Sequence, residues 1–87
     1  MIEKQIEIRN KLGLHARPAA VMVQTASKFK AKIKIRKDSS EVDAKSIMGI
    51  MTLAANAGSK IILVADGEDE QEAISELGKL IEAGFDE

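Results

Sequence analysis

Apolar and polar positions along this chain fall into two rhythms, and their succession predicts seven elements. Over residues 2–8, Ile2, Ile6 and Ile8 share one parity and Glu3, Gln5 and Glu7 the other, with Lys4 as the exception, which is the period of a half-buried strand. Asn10, Lys11 and Gly13 break it. From Ala16 to about Lys28, the apolar residues Ala19, Met22, Val23 and Ala26 recur at three- and four-residue spacing and predict a helix with one buried stripe. Ala31, Ile33 and Ile35 then alternate with Lys32, Lys34 and Arg36, Asp38-Ser39-Ser40 supplies turn chemistry, and Val42 with Ala44 resumes the alternation, so residues 31–44 read as a hairpin with one wet face.

Ser46, a good N-cap residue, opens a short helix over residues 46–55 whose Ile47, Met48, Ile50, Met51 and Leu53 are apolar almost all the way round. One short helix buries only one side in so small a protein. Either part of that set stays exposed as a methionine-rich docking patch, or the helix is sunk in the core. Asn56-Ala57-Gly58 closes it, and Lys60 to Ala65 is a nearly continuous apolar run, as in an interior strand. Asp66-Gly67-Glu68-Asp69-Glu70 turns into a last helix with acids at its positive end and Ala73, Leu77, Leu80, Ile81 and Gly84 on one face. The order βαββαβα predicts an α+β fold, a four-stranded, mostly antiparallel sheet with its apolar face covered by three helices.

Composition narrows the function. Residues 1–87 are expected to form a single domain, 45% apolar and 31% charged, with Phe29 and Phe85 its only aromatics and therefore an aliphatic core. Without cysteine there is no disulfide and no cysteine-based zinc site, and a lone histidine argues against other metal centres, so neither metal nor cofactor is expected. No signal peptide and no membrane-spanning run is apparent, which predicts a cytoplasmic protein. A net charge of −1 selects neither nucleic acid nor membrane as partner. The six cations between Lys28 and Lys37 lack aromatic interleaving and read as the solvated face of a sheet.

The candidate chemistry lies in Gly13-Leu14-His15-Ala16-Arg17-Pro18-Ala19-Ala20, which holds the only histidine and the only proline. Pro18, lacking an N–H, suits the first turn of a helix and places His15 at or just before the N-cap. The N–H groups of that turn, at Ala16 and Arg17, the helix dipole and the Arg17 guanidinium converge on an anion beside His15. Phosphoryl uptake there needs a neutral ring nitrogen of His15 as the nucleophile. Phosphate is the ligand such an arrangement favours. No Walker loop, second histidine or metal-phosphatase signature accompanies it.

This run resembles the active-centre motif of HPr, the histidine-containing phosphocarrier family of the bacterial phosphotransferase system, and the resemblance extends over essentially the whole chain. It implies an open-faced β-sandwich with strand order 1-4-2-3. It also implies a carrier, itself transiently phosphorylated rather than a free-standing enzyme. His15 would accept a phosphoryl group on Nδ1 from enzyme I, assisted by Arg17, and pass it to an enzyme IIA component. Lys45-Ser46-Ile47-Met48-Gly49-Ile50-Met51 resembles the regulatory serine segment of family members controlled by HPr kinase/phosphorylase, which implies phosphorylation of Ser46 and docking of partners, a transcriptional regulator among them, on Ile47, Met48 and Met51. A monomer is the default for an exchanging carrier.

Leu12, with Asn10-Lys11-Leu12-Gly13 and the ending Gly84-Phe85-Asp86-Glu87, resembles the nitrogen-related branch, whereas the Ser46 segment points to the sugar branch. Two other classes stay open. One is a regulatory adaptor working through phosphorylated Ser46 and the patch, against which the retention of His15 and Arg17 counts. The other is a small-molecule sensor, which needs a pocket with convergent polar groups.

Overall fold

A computed structural model describes residues 1–86 and carries the expected elements in the expected order. These are β1 (Ile2–Glu7), α1 (Ala16–Ala26), β2 (Lys32–Lys37), β3 (Ser40–Asp43), α2 (Ile47–Thr52), β4 (Lys60–Asp66) and α3 (Glu70–Glu82), followed by a 3-10 turn at Gly84–Asp86. The sheet order is β1-β4-β2-β3 and every pairing is antiparallel. β4, the most continuous apolar run, is interior, with Ile61 opposite Ile6 of β1 and Leu63 opposite Ile35 of β2.

The inward-facing Ile6, Ile33, Ile35, Ile61 and Leu63 meet Met22 of α1 and Leu77 and Ile81 of α3 in one aliphatic cluster. Only one face of the sheet is covered, giving the open-faced sandwich. On the other face Val64 is nonetheless only 7% exposed, flanked across the strands by Glu3 and Lys34, long side chains of the kind that cover apolar surface with their stems. Lys34 and Arg36 pair with Glu41 at 3.5 and 3.4 Å, Arg36 also reaches Glu3 at 3.7 Å, and Lys30 lies 3.8 Å from Glu68. Lys32, Lys34 and Arg36 thus form the solvated side of β2, the last two paired with acids, whereas Lys37 donates to the Leu53 and Ala54 carbonyls at 3.4 Å. Lys4 breaks the alternation of β1 because it crosses Gly78 of α3, where a Cβ would come within 3.3 Å of its Nζ, to pair with Glu82 at 3.2 Å. An inward-pointing lysine on an edge strand also discourages pairing with another chain.

Boundaries differ from the sequence expectation in three places. α1 stops at Ala26, two residues short of Lys28, and Lys45 Nζ donates to the Phe29 carbonyl just beyond its end, at 2.8 Å. α2 spans Ile47–Thr52 rather than 46–55, because Ala54 adopts a φ of 51° and the chain turns Leu53 and Ala55 into the core as a loop. Gly84, placed on the apolar face of the last helix by spacing, belongs to the 3-10 turn instead.

The entry to α3 is tied to the sheet through Asp69, whose carboxylate accepts the backbone N–H of Lys30 at 2.8 Å and of Ala31 at 2.9 Å. The Lys30 N–H foremost holds the carboxyl below the ordinary aspartate range. Glu70 is lowered in the same way, first by the N–H of Gly67. A carboxyl lowered by folding contributes stability above its unfolded value and loses it as pH falls through the folded value. The melting temperature is therefore expected to drop as pH falls below about 4, and Asp69→Asn to lower it at pH 7 while flattening that acid dependence. Thermal melts of both proteins from neutral to acid pH check this; parallel curves would show that Asp69 is not among the groups responsible.

Candidate active centre

His15 is the N-cap of α1, in extended conformation at φ −82° and ψ −171°, and its side chain does not cap the helix. Its carbonyl accepts the first helical N–H, that of Ala19, at 3.0 Å. The imidazole, Ala16 and Arg17 lie together at the positive end of the helix, Ala16 and Arg17 exposed and His15 half-buried. Pro18 is buried within the first turn, where its missing N–H costs nothing. The predicted site residues His15, Ala16 and Arg17 are therefore brought to one helix terminus.

The loop before His15 is held firmly. Asn10, buried at the end of the first strand segment, donates from Nδ2 to the Gly13 carbonyl at 2.6 Å, and Gly13 N–H donates back to the Asn10 carbonyl at 3.1 Å. Gly13 has a φ of +71°, and Leu14 N–H donates to the Ala55 carbonyl at 2.9 Å while its side chain enters the core. A Cβ on Gly13 would lie 2.3 Å from that carbonyl oxygen, so only glycine lets the loop lie this close to the chain leaving α2. One hydrogen bond and one close approach thus join the His15 loop to the end of α2.

An open depression of about 620 Å³ adjoins the histidine, lined by Lys11, Leu12, His15, Arg17, Phe85 and Asp86. The sequence marks Leu12, Phe85 and Asp86 as branch features, and Phe85 as one of two aromatics, but does not place them at the site. Gly84, Phe85 and Asp86 take φ values of 65°, 57° and 60°, folding the end of the chain back so that Phe85 is buried beside the active centre. The available signal was Gly84 just past an amphipathic helix, the usual mark of a left-handed stop. Leu12 stands 70% exposed at the rim. Lys11 and Arg17 against Asp86 leave the described lining with an excess of positive charge, suited to an anion.

Ser46 is the N-cap of α2, its Oγ accepting the Gly49 N–H at 3.0 Å. Ile50 is wholly buried and Leu53 nearly so, while Ile47, Met48 and Met51 are 41%, 76% and 44% exposed. The apolar set therefore divides, as the patch reading requires, and the alternative of a helix sunk in the core is excluded. Among the described residues, no group of three or more His, Cys, Asp or Glu is placed to hold a metal, and no helix is long and apolar enough to cross a membrane.

The sequence matches the family described as PTS HPr component phosphorylation site over residues 2–83. It is 54% identical to the HPr-like protein Crh of Halalkalibacterium halodurans over 82 residues, 94% of this chain and 98% of that one. It is 46% identical to the phosphocarrier protein HPr of Treponema pallidum over 87 residues, 100% of this chain and 99% of that one. A crystal structure of HPr from Thermoanaerobacter tengcongensis superposes with a TM-score of 0.97 at 57% identity, covering 100% of this chain and 98% of that one. An HPr dimer from the same organism matches with a TM-score of 0.80 at 57% identity over all of both chains.

Proposed function

The chain belongs to the HPr family of the phosphotransferase system, and from that premise we propose that it is a phosphocarrier, one domain over residues 1–87, whose His15 takes a phosphoryl group from enzyme I and gives it to an enzyme IIA component in the cytoplasm. The observation that carries this reading is His15 at the N-cap of α1, beside the exposed Arg17 and a depression open to a partner. A ring nitrogen, taken as Nδ1 from the family resemblance, attacks phosphorus in line. The P–N bond forms as the bond to the donor breaks, and the donor keeps the electron pair.

The Ala16 and Arg17 N–H groups and the Arg17 guanidinium steady the transferring oxygens. Because Ala16 and Arg17 are exposed, the phosphoryl group stays accessible to an acceptor. A monomer exchanges partners most simply, although an HPr of the same family forms a dimer in a crystal. The test is incubation with phosphoenolpyruvate and enzyme I, followed by intact mass, acid lability and peptide mapping. One acid-labile phosphoryl group on the peptide containing His15 is expected; none, from a donor shown to be active on another HPr, would overturn the carrier reading.

A regulatory role accompanies it. Ser46 caps α2 directly beside the exposed Ile47, Met48 and Met51, so phosphorylation by an HPr kinase/phosphorylase would set about two negative charges against the docking face. Partners with acidic rims would then dock less well, whereas a transcriptional regulator with basic groups would gain a handle. Aspartate is itself a good N-cap, so Ser46→Asp keeps the helix and isolates the charge. It is expected to slow phosphoryl uptake by His15 on the order of tenfold, about 1.4 kcal/mol. An unchanged rate would leave Ser46 as a cap alone. The adaptor reading, in which this face is the whole function, separates from the carrier by the same uptake assay, since an adaptor leaves His15 unmodified.

A further inference from the structure

The sulfur of this chain is unevenly placed. There is no cysteine, tryptophan or tyrosine, and the four methionines are its most easily oxidised side chains. Met22 is wholly buried between α1 and the sheet. Met48 and Met51, three residues apart and so on one side of α2, are 76% and 44% exposed, and Met1 is 73% exposed at the chain terminus. The two thioethers make up much of the exposed apolar face, with Ile47 the only other large exposed apolar side chain of that helix.

We propose that Met48 and Met51 form a reversible oxidation site that switches off docking on α2; the consequence for docking rests on the phosphocarrier reading above. The oxidant is a hydroperoxide. The thioether sulfur attacks one peroxide oxygen, the S–O bond forms as the O–O bond breaks, sulfur loses two electrons, and the other oxygen leaves with the proton as water or an alcohol. Each sulfoxide turns a flexible apolar side chain into a polar, chiral one. Ile50 and Leu53 keep α2 anchored to the core, so the change falls on the face and not on the fold.

Ser46 modification and this oxidation would act on one surface by different means, a charge in the first case and lost apolar contact in the second. Reversal needs a thiol-dependent sulfoxide reductase for each sulfoxide epimer.

The experiment treats the whole chain with hydrogen peroxide in the presence of a chelator, which suppresses metal-catalysed attack on His15. Peptide mass mapping, melting temperature and the rate of phosphoryl uptake are then measured before and after reduction by both methionine sulfoxide reductases. Expected are sulfoxides at Met48 and Met51 with Met22 spared, an unchanged melting temperature, a fall in uptake of at least fivefold, and recovery on reduction. The double variant Met48→Leu, Met51→Leu, compared before and after peroxide, should hold its own untreated rate, which also clears Met1.

Equal oxidation of Met22, or an unchanged uptake rate with Met48 and Met51 fully oxidised, would overturn the proposal. No uptake even by untreated protein would instead defeat the carrier reading, with selective oxidation of the site still decided by the mass map.

Discussion

His15→Ala is expected to abolish acid-labile phosphoryl uptake outright, and Arg17→Ala to slow it on the order of 10²-fold, about 2.7 kcal/mol of transition-state stabilisation. The two losses differ in kind. Without the imidazole no nucleophile remains at the terminus of α1, whereas without the guanidinium the nucleophile persists and the transferring oxygens keep only backbone N–H groups. Neither substitution should disturb the fold. The His15 side chain makes no helix cap, its carbonyl still accepts the Ala19 N–H, and the Arg17 side chain is exposed.

Melting temperatures within a few degrees of the parent would therefore accompany large kinetic losses. Arg17→Lys, which keeps the charge but not the forked donors, should fall between, on the order of tenfold slower. Uptake by the His15→Ala protein at the parent rate would move the phosphoryl group elsewhere, and acid stability of the product would point to Ser46.

Local order in the chain made much of this site readable. His15, Ala16, Arg17 and Pro18 are contiguous, and a proline that can only sit in a first turn locates the histidine relative to the helix without any tertiary information. Strand alternation serves equally well for β2, where Ile33 and Ile35 are buried beside exposed lysines, and the continuous apolar run of β4 marks it as interior. What periodicity missed depends on distant chain. Periodicity overstates the extent of α2 because Leu53 and Ala55 are apolar for a reason other than helix amphipathicity, being core contacts of the loop after it. Lys4 looked like an exception in β1 until Gly78, far along the chain, provided the gap through which it reaches Glu82.

The far wall of the active centre was hidden in the same way. Phe85 and Asp86 arrive there through a run of left-handed residues at the chain end, and nothing in a two- or 3.6-residue period encodes that reversal. Helix geometry alone leaves open whether α2 is sunk or half-exposed; the family resemblance names Ile47, Met48 and Met51 as the outer set, and these are the residues left exposed where α1 and β3 flank the helix and Ile50 is buried.

Gly13 shows how a residue with no chemistry can govern the site. Gly13→Ala places a side chain in the left-handed region, at a penalty of roughly 1 kcal/mol, and also drives its Cβ against the Ala55 carbonyl oxygen, where only backbone can yield. A total loss of roughly 2–3 kcal/mol is expected, lowering the melting temperature by roughly 10–20 °C. Gly58 supplies the control. Its φ of +87° is equally left-handed, but nothing lies within 4 Å of the added Cβ, so Gly58→Ala should show the conformational penalty alone and a correspondingly smaller shift.

The difference between the two variants measures the clash, and the clash acts on function. To relieve it the loop must move off Ala55, weakening the Leu14 hydrogen bond and displacing His15 from the end of α1. Assayed at a temperature where both variants are folded, Gly13→Ala should therefore lose phosphoryl uptake while Gly58→Ala keeps it. Equal uptake by the two would mean that His15 finds its position from the helix alone, and that the close contact with Ala55 serves stability only.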